Sequence, residues 1–229
     1  RRELQRQVDQ LQRGLDKGDL FSKFDRDTQQ AFEMVLSGRV QKAFDLKQES
    51  DKTRDEYGRV SVGEKALLAR RLVEAGSTFV LVSGAWGYFD HHGDNVRWMG
   101  IEKGLKPLTP RIDRALFALV NDLEQRGLLD STLVVFGTEF GRTPGAQGTG
   151  RDHHPQGFLC WMAGGGIKGG VTHGATDELG FYAVENPHYV TDIHATVLHQ
   201  LGLDAQRLEV PGRKRIDIHR GQKIDEIIA

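Results

Sequence analysis

Thr132-Leu133-Val134-Val135-Phe136, followed three residues later by Glu139 and then by Arg142, is the stretch on which the fold turns. An unbroken run of apolar and β-branched residues of this length suits a buried strand, since a half-exposed one would alternate with polar residues. Just upstream, Ile112, Leu116, Leu119 and Leu123 recur at helical spacing and Gly127 supplies a stop. Helix then strand makes one αβ step.

The same step occurs earlier, where an apolar helix from Val62 through Leu72 and Val73 leads into Thr78-Phe79-Val80-Leu81-Val82, a second run expected to be a buried strand. A third run, Gly157 to Ala163, precedes Gly164-Gly165-Gly166-Ile167-Lys168-Gly169-Gly170. Thr191 to Leu201 reads as the last clear helix, with Thr191 or Asp192 as its cap and Gly202 as its stop. Residues 1–60 form a charged, helical section of the same domain: Leu4, Val8, Leu11 and Leu15 mark one helix, Phe21 to Leu36 a second and Arg39 to Leu46 a short third. The polar Gln48-Glu49-Ser50-Asp51-Lys52 then reads as a loop, and the charges of this section as solvated faces. Residues 61–229 form an α/β core with helices on the faces of a sheet. At its end, Lys214-Arg215-Ile216-Asp217-Ile218 reads as a short strand, with a turn at Arg220-Gly221 and a small terminal helix.

The chain of 229 residues suits one domain, and 31 Lys plus Arg against 32 Asp plus Glu leave no basic field for a nucleic-acid partner. Cys160, the only cysteine, lies in an apolar run, so no intrachain disulfide forms and a buried, inert thiol is expected. No apolar stretch approaches the ~20 residues that span a bilayer, so membrane insertion is not expected. The glycine-rich turn has Gly170 where a phosphate-binding loop requires Lys, and it reads as a tight turn. A Gly-x-Ser-x-Gly nucleophile elbow is absent.

Chemistry gathers in three stretches: Phe89-Asp90-His91-His92-Gly93-Asp94-Asn95, Thr138-Glu139-Phe140-Gly141-Arg142 and Gly150-Arg151-Asp152-His153-His154-Pro155. Each follows a strand-like run, where α/β folds place ligands. Carboxylates and imidazoles are donors for a divalent metal, with zinc, manganese or calcium as candidates. In extended chain Asp90 and His92 point to one side, as two ligands of one ion would, whereas Asp152 and His153 point apart, serving two ions or one ligand and its supporting partner. The metal candidates are therefore Asp90, His92, Glu139, Asp152 and His153. Glu139 reads equally as a salt-bridge partner of Arg142. Arg142 and Arg151 are the catalytic candidates, able to hold an oxyanion bidentately, with surface pairing as the alternative. His91 and His154 read as bystanders. His173, His188 and His219 stand apart and receive no role, and Asp192 and His194 read as capping and packing the last helix, with approach to the site from the helix start as the alternative.

These motifs, with Thr191-Asp192-Ile193-His194-Ala195-Thr196 and Leu67-Leu68-Ala69-Arg70-Arg71-Leu72-Val73-Glu74-Ala75-Gly76, resemble an uncharacterised bacterial sulfatase-like family of the alkaline-phosphatase superfamily. The resemblance implies an α/β/α sandwich of the alkaline-phosphatase/sulfatase type, incomplete at its N-terminus. It also implies metal-dependent hydrolysis of phosphate or sulfate esters, on a small-molecule or polysaccharide substrate, in the periplasm or outside the cell. Asp90, His92 and His153 match its ligand positions and Glu139 stands where an Asp belongs. Phe140 occupies a ligand His position, and an early Asp and the nucleophile would lie upstream of Arg1. A non-catalytic binding or assembly protein retaining at most one metal is the alternative, and a metal-dependent mutase or phosphotransferase ranks third.

Overall fold

Helices dominate, and each long one ends where its glycine stands. In the computed structural model the described residues are 38–84, 89–92, 100–205, 207 and 221–229. The helices expected at Leu4–Leu15 and Phe21–Leu36, the strand expected at Lys214–Ile218, Gly93-Asp94-Asn95 and His219 lie outside them. The chain divides into two compact units, Arg1–Ser83 and Gly84–Ala229.

In the first unit, α1 (Arg39–Ala43), α2 (Asp51–Tyr57) and α3 (Ser61–Glu74) pack together. The Ser50 hydroxyl caps α2 by accepting the Thr53 N–H at 3.1 Å. The inner face of α3 carries Gly63, Ala66, Leu67 and Arg70, spaced by three and four residues. Arg70 is fully buried, which a guanidinium tolerates only when paired. Its Nη2 lies 3.0 Å from Glu49 Oε2, and its Nη1 meets Glu74. Arg71 reaches the other oxygen of Glu49 and donates to the carbonyls of Ala43, at 2.8 Å, and Lys42, at 2.6 Å. Glu49 is thus clamped between two arginines and ties the Gln48–Lys52 region to α3, rather than sitting on a solvated face. Burial raises its pKa, but the two guanidiniums outweigh that and leave it below the ordinary value.

The segment after α3 departs from expectation. Thr78–Val82 is extended, but it joins no β-ladder among the described residues, and Phe79 and Leu81 are 67 % and 80 % exposed. Its β-branched pattern selects extended backbone; pairing also needs a partner edge, which local pattern does not specify.

The second unit holds α4 (Gly100–Leu105), α5 (Thr109–Gln125), strands β1 (Val134–Phe136), β2 (Gly141–Arg142), β3 (His153–His154), β4 (Trp161–Ala163), β5 (Ala175–Thr176) and β6 (Ala183–Glu185), and α6 (Val190–Gln200). The strands pair antiparallel as three two-stranded sheets, β1 with β4, β2 with β3 and β5 with β6. The class is mixed helix and strand, and the described strands do not assemble the single helix-covered sheet expected of a sandwich. β1 lies inside the expected Thr132–Phe136 run, but only Val134 is buried; Val135 and Phe136 remain partly exposed.

Glycines at the helix ends behave as the sequence predicts. Gly127 (φ 67°) donates to the Glu124 carbonyl at 2.9 Å and Leu128 to that of Leu123 at 2.8 Å; Gly202 and Leu203 close α6 on His199 and Leu198 in the same way. Gly164, Gly165 and Gly166 all have positive φ, and their turn accepts the C-terminal segment through Lys168 N–H to Ile227 O and Ala229 N–H to Gly166 O, both 2.8 Å. Asp192 caps α6 from inside, accepting the Tyr189 N–H at 2.9 Å, as well as the Gln222 N–H at 2.8 Å. Cys160 is partly buried, and that burial pushes its thiol pKa up. Among the described residues no helix is long and apolar enough to cross a membrane.

Glu49→Ala, which deprives the buried Arg70 of one of its two carboxylates and Arg71 of its partner, is expected to lower the unfolding free energy by about 3 kcal/mol in urea denaturation. Because the folded-state pKa of Glu49 is depressed, its contribution is complete above the ordinary glutamate value and is lost as pH falls through the folded one. The gap between wild type and variant should therefore narrow in acid. A gap below about 1 kcal/mol at neutral pH, the range of exposed pairs, would refute the clamp.

Candidate metal centre

The β2–β3 ladder builds the site. Arg142 pairs with His153 and Gly141 with His154, so Arg142 and His153 stand side by side on one face. Gly141 is needed for space on the other face, because a Cβ there would run into the Gly157 carbonyl. The loop between the strands is stitched by Thr143 N–H to Asp152 O at 2.9 Å and by a Gln147–Gly150 bridge. Arg151 N–H donates to the His91 carbonyl at 2.9 Å, which brings the Phe89–His92 segment against this loop.

Three ligand atoms then converge. Asp90 Oδ1 lies 2.8 Å from His92 Nε2 and 3.1 Å from His153 Nε2, and the two Nε2 atoms are 2.9 Å apart. Protons alone cannot satisfy all three edges of this triangle. If both nitrogens donate to the carboxylate, two N–H groups confront each other; if one is bare, its lone pair faces the carboxylate oxygen. A cation at the centre makes every contact attractive. Donors about 2.0–2.2 Å from a tetrahedral ion stand about 3.3–3.6 Å apart, so the triangle has only to open by about half an ångström. The donor set fits a divalent metal.

The surroundings orient these donors. His92 Nδ1 faces Gln147 Oε1 at 3.2 Å and Asp152 Oδ1 at 3.6 Å, both acceptors, which places the proton on Nδ1 and leaves Nε2 free to ligate. Arg142 Nη2 donates to Asp90 Oδ1 at 3.0 Å and Nη1 to the Arg151 carbonyl at 3.3 Å. The Phe140 ring packs against His153 with centroids 4.2 Å apart and lies 5.7 Å from the Arg142 guanidinium carbon. The hydrogen bond from His153, followed by that from Arg142, holds the Asp90 pKa down to about 2 against the opposing effect of burial.

Of the five metal candidates, Asp90, His92 and His153 come together, and among the described residues no other group of three such side chains gathers its ligand atoms as closely. Asp152 stands behind His92, its Oδ1 also accepting the His153 N–H at 2.7 Å. Glu139 is exposed and outside the cluster. Arg142 is at the centre, whereas Arg151 turns into its own loop, donating to the carbonyls of Thr143, at 2.8 Å, and Pro144. His91 and His154 are buried away from the cluster, His154 through Phe181 O. Gln147 escaped the sequence reading because an amide in a glycine-rich loop carries no ligand signature. His173 and His188, given no role, in fact meet each other.

Fold and site together define a mixed α/β protein with an aspartate–dihistidine cluster beside an arginine. The chain belongs to the DUF1501 family, a family of proteins of unknown function, whose model matches residues 1–228. No curated protein and no solved structure matches it. The match corrects the resemblance to a sulfatase-like family of the alkaline-phosphatase superfamily, to which none of these comparisons points. Short Asp-x-His and Asp-His motifs recur wherever loops gather donors, so they signal ligation better than ancestry. The implied sandwich, upstream nucleophile and export lose that support.

Gln147→Leu is expected to weaken binding of a divalent metal about 10–100-fold, the usual cost of losing a partner behind a ligating histidine. His153→Ala should abolish binding at this centre. Calorimetric titration of protein purified without chelator checks both, and unaltered affinity in His153→Ala would eliminate the centre.

Proposed function

We propose that Asp90, His92 and His153 hold one divalent cation and that the protein is a metal-dependent hydrolase of phosphate or sulfate esters, acting on a small-molecule or polysaccharide ester. The observation that carries this reading is the triangle of donor atoms, 2.8–3.1 Å on each edge. Imidazole nitrogens favour zinc or manganese over calcium, which takes oxygen ligands. When bound, such an ion supplies Lewis-acid polarisation and neutralises charge on an ester oxygen.

The residues supply the remainder. Asp90 is ionised throughout the neutral range, being held at about 2, and is ready as an anionic ligand. Gln147 and Asp152 hold the His92 tautomer, and Phe140 limits rotation of the His153 ring. Arg142 keeps guanidinium donors beyond those used on Asp90 and on the Phe89 and Arg151 carbonyls, and these are available to a nonbridging oxygen of an anionic ester. The side chain of His153 is 45 % exposed, so an ester can approach from that side. Hydrolysis adds water across the ester bond and yields an alcohol and phosphate or sulfate.

The test is a screen of phosphate and sulfate monoesters with zinc- or manganese-loaded protein. Arg142→Ala is expected to lower kcat/KM about 10²–10³-fold, as loss of one oxyanion-stabilising group does, while metal stoichiometry is retained. His153→Ala should lose turnover together with the metal of this centre. Metal bound without turnover of any ester would replace the hydrolase with a binding or assembly protein that retains one metal.

A further inference from the structure

The β5–β6 hairpin brings together two histidines that lie 15 residues apart in sequence. His173 precedes β5 and His188 follows β6, so antiparallel pairing sets them on opposite sides of the hairpin base. Gly174 makes the close crossing possible: its φ is 82°, and a Cβ there would lie 2.9 Å from the Glu185 carbonyl oxygen. The two rings stack with centroids 5.1 Å apart and an interplanar angle of 30°, and the Nε2 atoms approach to 2.9 Å.

Behind His188 stands a carboxylate. Asp192 Oδ2 lies 3.6 Å from His188 Nδ1, and the Asp192 side chain is only 13 % exposed. Its position is fixed by the Tyr189 and Gln222 N–H groups. Burial raises the Asp192 pKa, but those two N–H groups and His188 more than offset it, so the carboxylate stays anionic. An anion on the Nδ1 side draws the His188 proton there and turns the lone pair of Nε2 toward His173. Only one proton fits between the two Nε2 atoms, and none is needed if a cation takes both lone pairs. Carboxylate, imidazole and open lone pair in series form the arrangement that orients metal-bound histidines.

We propose that His173 and His188 form a second divalent-metal site, distinct from the Asp90 centre, which takes an imidazole-preferring cation of the zinc or copper type and clips the hairpin base to the start of α6. Two protein ligands leave positions for water or for a donor on another molecule. Calcium and magnesium, which require oxygen donors, are excluded by the same chemistry. The clip restrains the hairpin mechanically as well as chemically, because it ties His173, just ahead of β5, to His188, just ahead of α6.

The test uses the whole chain without a histidine tag. Zinc is titrated calorimetrically, and copper is followed by paramagnetic resonance, which reports the number of imidazole nitrogens. The unaltered protein should bind about two equivalents and His153→Ala about one, with two nitrogens on copper. In the His153→Ala background, His173→Ala or His188→Ala should remove the remaining equivalent, and Asp192→Asn should weaken it about 10–100-fold. Zinc should raise the Tm of His153→Ala but not that of the His153→Ala, His173→Ala double variant. The more conservative His173→Gln, with circular dichroism to confirm folding, guards against a variant that simply unfolds. Retention of the second equivalent in His173→Gln, or no zinc or copper bound by His153→Ala, would overturn the site and leave the pair as a hydrogen-bonded contact.

Discussion

The direct pairing of Arg142 with His153 across β2 and β3 is the constraint on which the centre depends. Residues opposite one another in an antiparallel ladder share a face, so a guanidinium and an imidazole are set next to each other before any ligand arrives. Asp90 then docks against both through a single oxygen, while His92, two residues on, points the same way. The 143–152 loop contributes its backbone and Gln147 at the rear. Removing the ladder would separate ligands drawn from segments more than 60 residues apart in sequence.

The same electrostatic device appears in each unit in a different form. In the helical unit, two guanidiniums surround Glu49, and the opposite charges are complete within the protein. At Asp90 the balance differs, because two imidazoles and one carboxylate bring more lone pairs to a point than protons can satisfy. The first arrangement closes on itself and serves packing. The second offers lone pairs that a cation from outside the chain would satisfy, which is the physical basis for reading it as a candidate centre rather than as a salt bridge.

How far the sequence was legible follows from the range of each signal. Helical stripes ending in Gly127 and Gly202 were readable because a helix and its glycine cap are local, and both close as expected. The Asp90–His92 spacing was readable because alternation along an extended chain is local too. Thr78–Val82 was misread as buried: its β-branched residues specify extended backbone, while burial needs a pairing partner. Glu139 and Asp152 look as suitable as His153 in sequence, and only the turn after β1 and the path of the loop send one out to solvent and the other behind His92. Glu49 reads as a solvated charge because nothing local reveals that Arg70 and Arg71 of the next long helix reach it. The sulfatase-like resemblance rested on motifs a few residues long, whereas the family match spans nearly the whole chain.

By itself, the sequence determined the helices that contain Leu67, Leu119 and Val197, the glycine stops of the last two, the tight glycine turn and the pool of donors from which a metal centre is drawn. Periodicity, caps and residue chemistry act within a few residues. Tertiary structure alone decided which donors meet: Asp90 and His92 with His153, Arg142 with Asp90, His173 with His188, Glu49 with Arg70 and Arg71. Each of these meetings joins residues brought together by strand pairing or helix packing, and the energy that selects among alternative pairings resides in those long-range contacts.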